Sequence, residues 1–124
     1  VGQYHYLVNC SKREYLNPHK LGEGFKLGQI ANGWLSSLLV CLLSDGYQGP
    51  DCEHNLMGRW AASQIVIASD DPARGLLSLR TSYDSIHEAC DEEPGWTEIT
   101  PLVKEFVWEL PVWLQKKVID AEEL

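Results

Sequence analysis

No stretch of this chain is apolar for long enough to cross a membrane. The longest near-apolar run, Trp34 to Leu43, is about half of the roughly 20 residues that a spanning helix requires. The N-terminal segment Val1-Gly2-Gln3-Tyr4-His5-Tyr6 has no basic stretch followed by an apolar one, so no secretory signal is expected there. A cytoplasmic protein without membrane contact is the expectation. Cations are scarce as well: ten Lys and Arg stand against eighteen Asp and Glu, for a net charge of −8. The ten are scattered, and the densest runs are pairs such as Lys12-Arg13. A grip on nucleic acid needs clustered Lys and Arg that displace counterions, so direct nucleic-acid binding is not expected. The sequence also lacks a Gly-x-Ser-x-Gly elbow, a phosphate loop, an internal repeat, a linker and a low-complexity tract. That removes the motifs of the common serine hydrolases and nucleotide-binding enzymes.

What is present is a globular composition. Apolar residues make up 44% of the 124, and five are Trp. This length suits a single domain with a core large enough to fold without a disulfide. In a reducing compartment Cys10, Cys41, Cys52 and Cys90 are expected as thiols or metal ligands. The acidic balance fits a soluble protein, a basic protein partner, or an imitation of nucleic acid.

The stretch Asn32 to Gly46 reads as one buried helix. Asn32 is placed to cap its start and Gly46 to end it. Trp34, Leu35, Leu38, Leu39, Leu42 and Leu43 fall at helical spacing, and only Ser36, Ser37 and Ser44 are polar from Trp34 to Ser44. Before it, Tyr4, Tyr6 and Val8 alternate with His5 and Leu7, the period of a strand. Glu14-Tyr15-Leu16 is its expected return across a turn at Asn9–Lys12. Asn17-Pro18 ends that hairpin, and Phe25 to Ile30 is expected to be extended. Ser63 to Ser69, with Ile65-Val66-Ile67, reads as the central strand. Ser82 is an expected cap for a helix through Ile86 and Ala89, and Asp91-Glu92-Glu93-Pro94-Gly95 as an acidic turn. Thr100-Pro101 marks a helix start, Pro111 an interruption, and Lys116-Lys117 the end of a last helix. The expected class is α+β. A small, mainly antiparallel sheet of about four strands is packed by the central helix and the C-terminal helices.

Several residues could carry chemistry. Cys52-x-His54 with His87-x-x-Cys90 is a two-plus-two set of the kind tetrahedral zinc takes. Residues 87 and 90 would share a helix face. Zinc is therefore the alternative to a cofactor-free domain. A cysteine-type enzyme would combine Cys52 with His54 or His87 and Asp51. A carboxylate-dependent one would use Asp70-Asp71 or the acids at 91–93. Lys12, Arg13, His19 and Lys20 form a candidate binding surface around the N-terminal hairpin. Trp108 and Trp113 flank Pro111, where apolar residues fall on more than one helix face, so they either complete the core or meet a partner.

The run Gly2 to Asn9, then Lys12-Arg13-Glu14-Tyr15-Leu16-Asn17-Pro18-His19-Lys20-Leu21-Gly22-Glu23-Gly24 and Lys26-Leu27, resembles the opening of a family of small uncharacterised bacterial and phage proteins. Gly58-Arg59-Trp60-Ala61, Gln64 to Ala68, and Trp96-Thr97-Glu98-Ile99-Thr100 are similar too. The resemblance brings no assigned activity, so no catalytic residue is implied. Together these readings lead to an expected non-enzymatic domain that binds a protein partner, in one version a phage-encoded modulator of a host system.

Overall fold

The computed structural model describes residues 4–24, 26–45, 56–69 and 86–122. Its strands are β1 (His5–Asn9), β2 (Glu14–Leu16), β3 (Ile65–Ser69) and β4 (Thr97–Glu98). Its α-helices are α1 (Leu27–Asn32), α2 (Leu35–Leu43), α3 (Ile86–Glu92), α4 (Thr100–Glu105) and α5 (Val112–Glu122). Short 3-10 turns cover Pro18–Leu21 and Val107–Glu109. The class is α+β, as the sequence implies.

The four strands lie in the order β3-β1-β2-β4. β1 pairs antiparallel with both β2 and β3, placing Leu7 opposite Leu16 on one side and Ile67 on the other. β2 and β4 run parallel, with Glu14 opposite Thr97, so the sheet is mixed. The central strand is β1, not the Ile65–Ser69 strand. All five β1 residues are buried, whereas Ile67 of β3 is exposed. A β-branched run fits an edge as well as a centre, because it specifies extended backbone and not position in the sheet.

The period of two in β1 separates two cores. Leu7 joins Leu16, Trp34, Leu35, Leu38, Trp60, Val103 and Leu114 in the main one, under α1, α2, α4 and α5. Tyr6 and Val8 face the other way and pack with Ala68, Ile86 and Cys90 of β3 and α3.

The helix expected from Asn32 is α2, which starts only at Leu35. Asn32 is the last residue of α1 and exposed, not a cap at the start of a longer helix. Of the segment expected to be extended, Leu27 to Ile30 are helical, since α1 begins at Leu27; Phe25 lies outside the described residues. Gln29 Oε1 accepts the Lys26 backbone N–H at 3.1 Å, which secures that start. The break falls at Gly33 because Glu23 reaches in from the preceding loop. Its Oε1 accepts the Trp34 N–H at 2.6 Å, and a Cβ on Gly33 would sit 2.3 Å from the same oxygen. Helix α2 then buries Leu35, Leu38, Cys41 and Leu42 but leaves Val40 and Leu43 exposed. Gly46 lies outside the described residues, as do Ser82 and Tyr83.

At the C-terminal end, Thr100 is the first residue of α4 and not its cap; its hydroxyl accepts the Asn17 N–H at 3.0 Å. Pro111 separates the Val107–Glu109 turn from α5, as expected of a residue without an N–H. Lys116 and Lys117 fall in the middle of α5 instead of at its end, because the helix continues to Glu122.

Candidate functional site

The hairpin turn between β1 and β2 gathers two of the described ion pairs, those of Arg13 and Glu14. Asn9 Oδ1 accepts the Lys12 N–H at 2.9 Å, which holds the turn. Arg13 then takes a left-handed conformation, φ 55°, and its guanidinium lies 5.3 Å from the centre of the Trp96 ring. The same group pairs with Glu93 at 2.7 Å. Glu14, 8% exposed, accepts a fork from Arg59 (3.1 and 2.7 Å) and the indole N–H of Trp60 (3.0 Å). Burial alone would raise its carboxyl. The hydrogen bonds from Arg59 and Trp60, and the charges of Arg59 and Lys12, outweigh that and hold it below its ordinary value. Lys12 Nζ donates to the Arg59 carbonyl, and Lys20 pairs with Glu98 at 2.8 Å. Thus Lys12, Arg13 and Lys20 are engaged within the molecule. His19 has an exposed side chain, and its backbone N–H donates to Asn17 Oδ1.

These contacts unite the segments that carried the resemblance. Lys12-Arg13-Glu14 meets Gly58-Arg59-Trp60 through the Glu14 carboxylate and meets Trp96-Thr97-Glu98 through Arg13. Gly58 is required in its turn: it has φ +75°, and a Cβ there would lie 2.6 Å from the Ser44 carbonyl. Lys20, Glu98, Thr100, Pro101 and Lys104 line a pocket of about 210 Å³ beside this region.

On the opposite face of the sheet, the His87 ring stacks on Tyr6, centroids 3.8 Å apart, and Tyr6 stacks on Tyr15 at 5.3 Å. The Tyr6 hydroxyl donates to Asp91 at 2.8 Å, and His87 Nδ1 lies 3.7 Å from the same carboxylate. Burial, then Asp91, pushes the Tyr6 phenol up. Burial likewise raises the thiols of Cys90 and Cys41, which keeps both protonated and poor nucleophiles. Of the metal candidates, Cys52 and His54 lie outside the described residues. His87 packs on Tyr6, and Cys90 is buried beside Ile86 and Ala68. Among the described residues no three His, Cys, Asp or Glu side chains are grouped to hold a metal. Asp51, Asp70 and Asp71 also fall outside them.

Trp108 and Trp113 sit in the turn-and-helix segment around Pro111. The chain there is fixed by Gln115, whose Nε2 donates to the carbonyls of Trp108 (3.1 Å) and Leu110 (2.5 Å). Leu110, Leu114 and Val118 point into the core. Trp108 is 46% exposed, Trp113 57% and Val112 79%. Trp60, by contrast, is fully buried. Sequence spacing does not separate these tryptophans, because the break at Pro111 sets which face of α5 turns inward.

The Glu14–Arg59–Trp60 and Tyr6–His87–Asp91 groups are not evident from the sequence. Only the alternation that puts Tyr6 opposite Leu7 hints at the second. Comparisons with protein-family models, curated proteins and solved structures give no match. No helix among the described residues is long and apolar enough to cross a membrane. The fold and these side chains define a small α+β domain in which Arg13, Lys20 and Arg59 are paired internally and Trp108 and Trp113 are exposed.

Proposed function

We infer that this chain is a non-catalytic domain that works by binding another protein through the Trp108–Trp113 surface. The observation that carries this reading is the exposure of Trp108, Val112 and Trp113 in one short segment. Exposed apolar side chains clustered in this way mark contact surfaces, and Trp is favoured as an anchor there. Leu110, Leu114 and Val118 fill the core beneath this segment, and the Trp108 ring meets Phe106 edge-on. The protonated, buried state of Cys41 and Cys90 supports a non-enzymatic role. The resemblance to small bacterial and phage proteins extends this to a cytoplasmic modulator of a host system.

The test is retention from a bacterial lysate at low and moderate salt, read by mass spectrometry. The wild-type chain retains a defined set of proteins, and the Trp108→Ala/Trp113→Ala variant loses that set while keeping its melting temperature. Equal retention by both, or none by the wild type, refutes the reading.

A further inference from the structure

The outward face of α5 carries more than apolar surface. Leu114 and Val118, one turn apart, are buried; Val112, Trp113, Lys116 and Lys117 are all exposed. Lys116 follows Val112 by four residues and Trp113 by three, and Lys117 follows Trp113 by four. These spacings place neighbours on one helix surface. Between Leu110 and Val118 the sequence has two lysines and no acidic residue, with Glu109 before this stretch and Asp120 after it, in a chain of −8. Among the other described cations, Arg13 pairs with Glu93, Lys20 with Glu98 and Arg59 with Glu14. The Lys116 and Lys117 side chains form no ion pair with any described side chain.

We propose that this face binds an acidic protein segment that sets an apolar side chain against Trp113 and carboxylates against Lys116 and Lys117. The proposal rests on the protein-binding reading and names the partner's chemistry. Exposed ammonium groups beside an exposed indole offer both halves of such a contact: an apolar anchor and charges that select the partner's sign. A polyphosphate is the poorer fit. Two lysines release few counterions, and a polyphosphate has no apolar group to set against Trp113.

Selection of random displayed peptides on the intact protein tests this. Peptides with Asp or Glu flanking an aromatic or aliphatic residue are enriched. Their affinity falls about five- to tenfold in the Lys116→Glu/Lys117→Glu variant, as expected for losing exposed charge pairs, and selection on that variant turns toward Lys and Arg. Both lysines are exposed, so the variant keeps its fold, which its melting temperature verifies. Enrichment of basic or neutral peptides that depends on Trp113 overturns the acidic partner and leaves the protein-binding reading standing. No enrichment at all counts against both. Saturable, Lys116- and Lys117-dependent binding to single-stranded DNA or to anionic phosphatidylserine vesicles, in place of peptides, also overturns the proposal.

Discussion

Trp60 donates its indole N–H to Glu14 at 3.0 Å, and both residues are buried. A buried indole needs an acceptor, and a buried carboxylate needs a cation. Arg59 supplies the cation with a two-point fork. One carboxylate therefore ties the β1–β2 hairpin to the turn that precedes β3.

Breaking that tie is expected to destabilise the fold. Glu14→Gln leaves Arg59 without its counter-charge and costs about 3 kcal/mol, the low end for disrupting a buried ion pair. The low end applies because the Arg59 side chain is 22% exposed. Trp60→Phe keeps most of the ring but removes one of the three hydrogen bonds to Glu14, and should cost about 1.5–3 kcal/mol, the range for a hydrogen bond to a charged group. Chemical denaturation of the two variants gives both values, and a Glu14→Gln midpoint equal to that of the wild type would refute the assignment.

Acid sensitivity follows from the same group. The Glu14 carboxyl is held below its ordinary value of 4.5 in the folded chain. Its contribution is therefore complete above the unfolded value and is lost as pH falls from there through the folded value. The denaturation midpoint of the wild type should drop across that window, and Glu14→Gln should flatten the drop. Parallel acid profiles would show that other carboxylates dominate.

The alkaline side is set on the other face of the sheet. Burial, then the charges of Glu98 and Asp91, pushes the Tyr15 phenol up to about 12 from 10.0. Tyr6 is raised too, by burial and by its hydrogen bond to Asp91. The folded chain thus holds these protons more tightly than the unfolded chain. The stabilisation is complete below pH 10.0 and fades as pH rises toward about 12. Stability should fall over that interval, and late phenolate absorbance should accompany unfolding. Tyr6→Phe should make the fall shallower.

Much of this architecture is legible in the sequence where local periodicity and tertiary environment agree. The alternation from Tyr4 to Val8 correctly divides Tyr6 and Val8 from Leu7, and Pro111 does interrupt the C-terminal helices. The errors arise where a distant side chain decides. The apolar spacing from Trp34 to Leu43 is helical, but the helix start is set by Glu23, eleven residues before Trp34. Asn32 looks like a cap and instead ends α1. Trp60 and Trp113 are alike in sequence, yet Glu14 draws one inside and Pro111 turns the other out. No short-range pattern encodes those partners.

The tryptophan surface makes a separable prediction. Trp113→Ala should change stability by less than about 0.5 kcal/mol, as for surface positions that hold no packing. Leu114→Ala, one residue on, should cost about 2–5 kcal/mol, because it empties a fully buried site. Thermal melts of the two distinguish a contact surface from a core position. A large loss in the Trp113 variant would mean that its ring packs against the fold.

Zinc gives the last prediction. A zinc site at Cys52, His54, His87 and Cys90 would need the Cys90 thiolate, since metal binding displaces the thiol proton. Burial raises that thiol, and the charges of Asp91 and Glu93 raise it further. The His87 ring stacks on Tyr6 with Nδ1 3.7 Å from Asp91. Cys90 would therefore have to lose a proton that its buried setting holds. The expected result is much less than one zinc per chain by elemental analysis, with a melting temperature that chelation leaves unchanged. Cys90→Ser should then act only as a packing change in the cluster with Ile86 and Ala68. Stoichiometric zinc, released by Cys52→Ser and by Cys90→Ser but not by Cys41→Ser, would reverse this. Cys41 supplies the control because it is buried in the other core, among the helices of the opposite face. Metal that binds only the folded chain stabilises it by mass action, so a fall in melting temperature on chelation would point the same way.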